Sequence, residues 1–249
     1  MKLYREVSAF RVNGKLAKIK ERVVKDSEIH IIINGTISRR FYVTPSKLKE
    51  FTVGYLLGEG LIKKVSDIKL LDINRKTINV EINLEDASLS RESVIGSDSM
   101  GGWRYKIESV EHVDSTFSIT KDEVFKAFNK LVKGARLWRM TGGAHVAALV
   151  CEGKFVLAED VSRHVAVDKI IGAGALDKVD FARSFIVYSG RMPADMLIKV
   201  ARAGIPIIAS NAAPTYSGYK VATDAGLTML GFVRDGRFNI YTNPERIKV

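Results

Sequence analysis

Three short polar clusters carry most of the side chains in this chain that could bind a ligand or move a proton. Each cluster sits just after an apolar, strand-like run. The clusters contain Gly142, Gly143 and His145; Arg163, His164, Asp168 and Lys169; and Ser189, Gly190 and Arg191. Glycine lets the backbone approach a ligand closely, while the ionisable side chains supply binding and acid–base chemistry. Because a parallel α/β sheet gathers the loops at the carboxyl ends of its strands, we predict that the clusters form one site.

The chemistry that these residue types favour is anion binding. Predicted helix starts at Ser162, Pro193 and Pro214 would add free N–H groups and the positive ends of helix dipoles. Arginine binds phosphate through paired N–H groups, and four arginines follow predicted strands. They are Arg163, Arg191, Arg234 and Arg237.

Two features of the clusters admit more than one interpretation. His164 and Asp168 are four residues apart on a predicted helix, so they fit either a carboxylate-oriented histidine or an ordinary helix-surface contact. The pair Gly142-Gly143 fits either a backbone nest for an anion or a tight turn before a strand.

Several catalytic classes lack their sequence motifs in this chain. There is no Gly-x-Ser-x-Gly elbow and no Walker phosphate loop, and no His/Cys spacing suits zinc, so we predict no metal site. Cys151 is the only cysteine, which excludes an intrachain disulfide. Because it ends an apolar run, Cys151 is predicted to be a buried, inert thiol rather than a reactive one.

The charge and composition narrow the class of partner. The formal net charge of +11 favours an anionic partner, although a basic surface without a specific partner would give the same number. The cations are scattered and no glycine–aromatic signature is present, which argues against nucleic-acid binding.

No apolar run reaches membrane-spanning length and no secretory signal follows Met1, so a cytoplasmic protein is expected. Scarce Cys and absent Gln hint at a heat-adapted source.

The N-terminal part, residues 1–115, is predicted to be a smaller α+β domain. Residues 9–12 and 15–19 flank Asn13-Gly14, a strong hairpin signal. A helix is predicted to start with Thr44 as N-cap and Pro45 at the first position. Residues 93–103 are rich in Gly and Ser and are predicted to form a loop.

The C-terminal part, residues 116–249, is predicted to be a layered α/β domain. Thr120 and Glu123 form a capping-box pattern ahead of a helix that Gly134 can end. After it, apolar strands alternate with helices at 163–172, 193–203 and 214–225. Strands that are apolar throughout indicate a partly parallel sheet buried on both faces.

At these residues the sequence resembles the formate dehydrogenase accessory sulfurtransferases, the FdhD/NarQ family. The resemblance covers most of the chain in ordered blocks. The blocks are 44–60, 141–145, 159–169, 189–191, 203–206, 213–215, 225–228 and 231–242.

The resemblance implies a cytidine deaminase-like, three-layer α/β domain without the deaminase zinc motif, and a homodimer. It implies binding of the bis-molybdopterin guanine dinucleotide form of the molybdenum cofactor, with GDP or GMP as possible mimics. Family members are thought to take sulfur from a cysteine desulfurase and to serve formate dehydrogenase or a related molybdoenzyme. By the family pattern the cofactor contacts are Phe232, Val233, Arg234, Asp235, Gly236 and Arg237.

The sequence departs from the family pattern in two places. Val165 stands where the family usually has Asn. The family's mobile loop carries a Cys-x-x-Cys pair, whereas the equivalent residues here are Ser97, Asp98, Ser99 and Met100. A persulfide needs a thiolate, so we expect a cofactor-binding accessory protein without its own persulfide step. The alternative is an active sulfurtransferase that uses Cys151 or the thiol of a partner.

Overall fold

The computed structural model describes residues 2–83 and 111–249, together with the backbone of two short strands. Those strands are β7 (Ser93–Ile95) and β8 (Trp103–Tyr105), which pair antiparallel. The rest of the predicted Gly/Ser loop at 93–103, including Ser97, Asp98, Ser99 and Met100, lies outside the described residues.

A mixed six-stranded sheet forms the centre of the C-terminal part, in the order β11-β10-β12-β13-β14-β15. Strands β11, β12, β13 and β14 run in one direction, and β10 and β15 run in the other. The strands are β10 (His145–Cys151), β11 (Lys154–Asp160), β12 (Ser184–Tyr188), β13 (Ile207–Ser210), β14 (Thr228–Arg234) and β15 (Arg237–Thr242). This confirms the predicted α/β class and a sheet that is partly parallel.

Helices cover both faces of this sheet because neighbouring residues on a strand point to opposite sides. On β12, Ile186 and Tyr188 belong to the same core cluster as α4, α5 and α6, whereas Phe185 and Val187 pack in a second cluster with α2. The helices are α2 (Lys121–Gly134), α3 (Arg136–Thr141), α4 (Arg163–Leu176), α5 (Ala194–Arg202) and α6 (Tyr216–Asp224). Two short parallel strands, β9 (Ile119–Thr120) and β16 (Ile247–Lys248), join the two ends of this part.

The N-terminal part contributes a second sheet with one buried face. Its order is β4-β3-β6-β5, and alternate isoleucines of β3, such as Ile29 and Ile31, are buried. The elements are β3 (Ser27–Ile33), β4 (Ile37–Val43), α1 (Leu48–Gly58), β5 (Ile68–Asn74) and β6 (Thr77–Ile82). Phe41 of β4 meets Phe51 of α1 edge to face, with ring centroids 5.2 Å apart, so this sheet packs against α1.

Helix α1 in turn packs against α4 at glycines that let the two backbones touch. A Cβ at Gly54 would lie 1.8 Å from the carbonyl oxygen of Asp168, and a Cβ at Gly172 would lie 1.8 Å from that of Glu50. One continuous core cluster therefore runs from the N-terminal sheet through both helices to the central sheet. The predicted domain boundary at residues 115 and 116 stays a prediction.

An isolated two-stranded hairpin precedes both sheets. Strands β1 (Tyr4–Asn13) and β2 (Lys15–Val24) pair over their full length around Gly14, as the Asn-Gly signal predicts. Among the described residues, no helix has the length and apolar character needed to cross a membrane.

Two of the predicted helix starts have opposite outcomes. The capping box at α2 is confirmed, since Thr120 Oγ1 accepts from Glu123 N and the Glu123 carboxylate accepts from Thr120 N at 2.7 Å. The predicted start of α1 at Thr44-Pro45 is wrong, because the helix begins at Leu48 after Lys47, which has a φ of 52°. Thr44 is instead buried and holds the end of β11, so it is not available as a cap.

The close contact between α1 and α4 predicts a large cost for one added methyl group. Gly172→Ala should lower the free energy of unfolding by about 3 kcal/mol, because its Cβ meets rigid backbone rather than a side chain. The control is Gly134→Ala, where the nearest atom is the tip of the Leu157 side chain, and we expect a change within about 1 kcal/mol. Equal effects in urea unfolding would contradict this account of the interface.

Candidate functional site

The sheet topology places the predicted clusters along one edge. The ends of β11, β12 and β13 and the start of β10 meet there, as the pairings His145↔Asp160 and Tyr188↔Ser210 show. The β14–β15 turn extends beyond the same edge, since Arg234 pairs with Arg237. Helices α4, α5 and α6 all begin here, because each follows a strand that runs toward this edge. We call it the strand-end edge.

One group of predicted residues makes direct contact at this edge. His145 Nδ1 lies 3.3 Å from Ser189 Oγ, which also accepts a hydrogen bond from Val146 N at 3.0 Å. Gly190 leaves room for Arg163, whose Cδ lies 3.0 Å from the position of a glycine Cβ. Burial lowers the pKa of His145, the hydrogen bond at Ser189 opposes this shift, and the positive charge of Arg163 adds to it. The net effect favours the neutral imidazole.

Other predicted residues are committed to contacts inside the protein. Lys169 is fully buried, and its Nζ donates to Asp160 Oδ2 at 2.5 Å and to Thr44 O at 2.9 Å. Asp160 also accepts from Thr44 N at 3.0 Å and Ser162 N at 2.9 Å. Burial raises the pKa of Asp160 from 3.8 to about 6, although Lys169 opposes the shift, and burial lowers the pKa of Lys169.

Two more buried contacts join α4 to α5. The Asp168 carboxylate pairs with Lys199 Nζ, and both side chains are almost completely buried. His164 Nε2 lies 3.1 Å from Asp195 Oδ2, again away from solvent. The two residues thus have partners on α5, with His164 next to Asp195 and Asp168 paired with Lys199. In this arrangement the charged atoms of Asp168 and Lys169 are occupied by protein, and their assignment as cofactor contacts stays a prediction.

The β14–β15 turn has an unusual backbone. Phe232 has a φ of 55° and Asp235 a φ of 51°, in the left-handed region that bulky side chains rarely adopt. The strand pairing shifts register between Gly231 and Arg234, and Phe232 N donates to Ala212 O at 3.2 Å. Bulges and strained residues of this kind concentrate at functional sites, because the surrounding structure must hold them in place.

A groove opens beside this turn. Its volume is 390 Å³, within the range of small-molecule sites. Helix α2 supplies one wall with Phe125, Phe128 and Asn129, and the turn supplies Arg234 and Asp235. The groove therefore combines apolar rings with amide, carboxylate and guanidinium groups. The sequence does not mark the α2 residues as part of a site, because they belong to an ordinary amphipathic helix and only the tertiary fold brings them to the turn.

Three predicted arginines and the cysteine lie at opposite ends of the central strands. Arg191, Arg234 and Arg237 are exposed at the strand-end edge, and within residues 2–83 and 111–249 none of them forms a salt bridge. Cys151 ends β10 at the opposite edge, six residues beyond His145, which is about 20 Å along an extended strand. It is only partly buried, so the prediction of a buried thiol is wrong in degree.

The exposed arginines and the helix N-termini at the carboxyl ends of the strands define the chain as a layered α/β protein with a basic strand-end edge. The comparison with known proteins identifies it further. The sequence model of the FdhD/NarQ family matches residues 24–248, and the chain belongs to that family.

Relatives support this membership over the full length. The chain is 59% identical over 247 residues to the "Sulfur carrier protein FdhD" of Methanothermobacter thermautotrophicus, covering 99% of this chain and 100% of the relative. It is 31% identical over 245 residues to the protein of the same name from Bacillus subtilis, with 94% of each chain covered. A crystal structure from Desulfotalea psychrophila, described as a formate dehydrogenase accessory protein, superposes with a TM-score of 0.83 at 27% identity, covering 99% and 100% of the two chains.

The buried pair between Asp160 and Lys169 predicts a stability effect that depends on pH. Lys169→Met removes the counter-charge of a buried carboxylate, so we expect the free energy of unfolding at pH 7 to fall by about 3–5 kcal/mol. The control is Arg183→Met, which breaks the exposed pair with Glu152 and should cost less than about 1 kcal/mol.

The pH dependence of the unfolding free energy separates the loss of the Lys169 charge from the loss of its packing. The folded protein holds the Asp160 proton more tightly than the unfolded chain does, so this carboxyl contributes less stability as the pH rises from about 4 to 6. Without Lys169 the pKa of Asp160 rises further. The deficit of Lys169→Met should therefore shrink as the pH is lowered from 7 to 5, and a deficit that is constant with pH would contradict the assignment.

Proposed function

We propose that this chain is an accessory protein of formate dehydrogenase maturation that binds the bis-molybdopterin guanine dinucleotide cofactor at the strand-end edge. The observation that carries the proposal is the β14–β15 turn, where the exposed Arg234 lines a groove of 390 Å³. The same turn contains the strained Phe232 and the exposed Arg237. Membership of the FdhD/NarQ family and a structural neighbour described as a formate dehydrogenase accessory protein support the choice of enzyme.

The residues at this edge suit a ligand that carries several phosphates. The exposed guanidinium groups can each donate two parallel N–H bonds to a phosphate. The N-termini of α4, α5 and α6 add positive dipole ends at the same edge. Gly142 and Gly143 lie exposed next to His145 and allow backbone to approach. Phe125 offers an aromatic ring for a planar base, and Asn129 and Asp235 offer polar atoms to its edge.

The chemistry belongs to the cofactor, which when bound supplies the metal centre and its sulfur ligands. The residues of this chain bind and orient it. Arg191, Arg234 and Arg237 would hold the phosphates. His145 beside Ser189, whose burial favours the neutral form by lowering its pKa, can accept or donate one hydrogen bond without adding charge. The implied homodimer stays a prediction, which sedimentation of the full chain tests.

We further propose that the chain does this without a persulfide of its own. The relatives carry the name sulfur carrier protein, and such a role needs a thiolate to hold the sulfur. The only cysteine is Cys151, about 20 Å from His145 at the opposite edge of the sheet. A partner's thiol, or Cys151 itself, is the alternative source of sulfur transfer.

Titration with GMP, as a fragment of the cofactor, tests the binding site. Wild-type protein should bind GMP in calorimetry, and Arg234→Gln or Arg237→Gln should raise the Kd about tenfold, since hydrogen bonds to charged groups contribute roughly 1.5–3 kcal/mol. Arg183→Gln is the matched control because it removes the same charge at the opposite edge, before β12, and it should leave the Kd within about twofold. Absence of GMP binding by the wild type would refute the proposed site.

Labelling with sulfur tests the second part. A cysteine desulfurase and ³⁵S-cysteine should leave no protein-bound, reductant-labile label on the isolated wild-type chain. The control is a relative that carries the Cys-x-x-Cys pair, which should become labelled under the same conditions. Label on the wild type that is lost in Cys151→Ser would establish the alternative, a sulfur carrier that uses Cys151.

A further inference from the structure

The β1–β2 hairpin is an exposed arm that lies almost entirely outside the match to the family model. The family match begins at residue 24, whereas the arm spans residues 4–24. Each strand has ten residues, so the arm is about 30 Å long. It pairs with no other strand of the described residues, and a lone two-stranded ribbon is at best marginally stable in water. An element of this kind gains from a partner that covers it.

The tip of the arm carries a contiguous apolar cluster. Val12 pairs directly with Leu16, and Phe10 lies two residues from Val12 on the same face. These side chains are 65% (Phe10), 78% (Val12) and 68% (Leu16) exposed. Large exposed apolar side chains gathered at one place on a soluble domain indicate an interaction surface, since scattered single ones are the norm.

Cations surround this apolar tip. Residues 4–24 contain six Lys or Arg residues and only two acidic ones. Both acidic side chains lie next to an arginine, Glu21 with Arg11 at 3.5 Å and Glu6 with Arg22 at 3.6 Å. Lys18 faces Phe10 across the ribbon, and Lys20 follows on the same face. A complementary surface would therefore have an apolar centre and an acidic rim.

The base of the arm adjoins the candidate site. Val24 packs against Gly143, where its Cγ1 lies 2.8 Å from the position of a Cβ on that glycine. Strand β2 also contacts α3, whose Trp138 and Met140 are exposed. The base of the arm thus lies beside the loop that leads to His145, so a protein held at the tip would be tethered within about 30 Å of the strand-end edge.

We propose that the β1–β2 arm docks a protein with an acidic rim around an apolar socket, namely the cofactor-free enzyme that receives the cofactor. The identity of that partner rests on the proposed function, whereas its surface chemistry follows from the arm. A second copy docking arm to arm fits less well, because the cations of the two arms would be set against each other, so the expected homodimer would use another surface. A lipid bilayer fits less well because the outer edges of both strands carry unpaired backbone groups, which are costly to bury in hydrocarbon.

The test compares the two faces of the arm in the full chain. A triple variant removes the apolar tip and places threonine, a residue that favours strands, at each position. Its substitutions are Phe10→Thr, Val12→Thr and Leu16→Thr. The control, Val7→Thr with Val23→Thr, changes the opposite face, where these side chains are 41% and 44% exposed. The probe is the catalytic subunit of a formate dehydrogenase, purified without cofactor, with binding measured by fluorescence anisotropy.

We expect the triple variant to raise the Kd for this subunit at least about tenfold and the control to stay within about twofold, because truncating central apolar anchors is the costly change at an interface. Binding by the wild type should also weaken as salt rises. GMP binding should be the same in all three proteins. The arm proposal alone is overturned if the wild type binds GMP but not the subunit, or if the triple variant binds the subunit as well as the wild type does.

Two further measurements identify the other occupants. A triple variant that loses the sedimentation mass of the wild type would show that the arm joins copies of this chain, and would overturn the proposal. Tip-dependent sedimentation with phosphatidylglycerol vesicles would show that the arm binds a membrane, and would likewise overturn it. Unchanged mass and no vesicle binding are the expected results.

Discussion

Asp160 is the residue on which the arrangement of the molecule most depends. It ends β11, and its carboxylate is bound by Lys169 of α4, by Thr44 N from the N-terminal part and by Ser162 N, the residue that caps α4. One buried side chain therefore joins the central sheet, the helix that follows it and the chain leading to α1. A buried carboxylate is tolerated only where its lone pairs are satisfied, so these groups are constrained to meet at one point.

The strand-end edge combines this rigid interior with an exposed outer layer. Behind the edge, Asp168 with Lys199 and His164 with Asp195 connect α4 to α5 out of reach of solvent. In front of it, Arg191, Arg234 and Arg237 extend into water. These fixed buried pairs hold the helix N-termini and loops in place. Because the protein groups at this edge are already ordered, binding an anion there would cost less conformational entropy. The strained turn at Phe232 is another feature that needs such support.

Much of the fold was predictable because its signals are local. The Asn-Gly turn predicts the arm, the Thr120 and Glu123 pair predicts the start of α2, and uninterrupted apolar runs predict strands buried on both faces. The start of α1 was mispredicted because Thr44 has the residue type of a cap, whereas its backbone and hydroxyl are used by residues more than a hundred positions away. Local propensity cannot report a competitor that is distant in sequence.

The amino-acid sequence by itself determined the class of the fold, the residue types at the ends of the strands, the excess of positive charge and the single thiol. These are properties of composition and of short-range pattern, which hydrophobic burial and turn chemistry translate directly into elements. Only the tertiary structure decided which of the polar residues face solvent. Lys169 and Arg191 look equally suited to an anion in the sequence, yet one is buried against Asp160 and the other is exposed. Their different roles depend on partners that only the packing of α1, α4 and α5 brings within hydrogen-bonding distance.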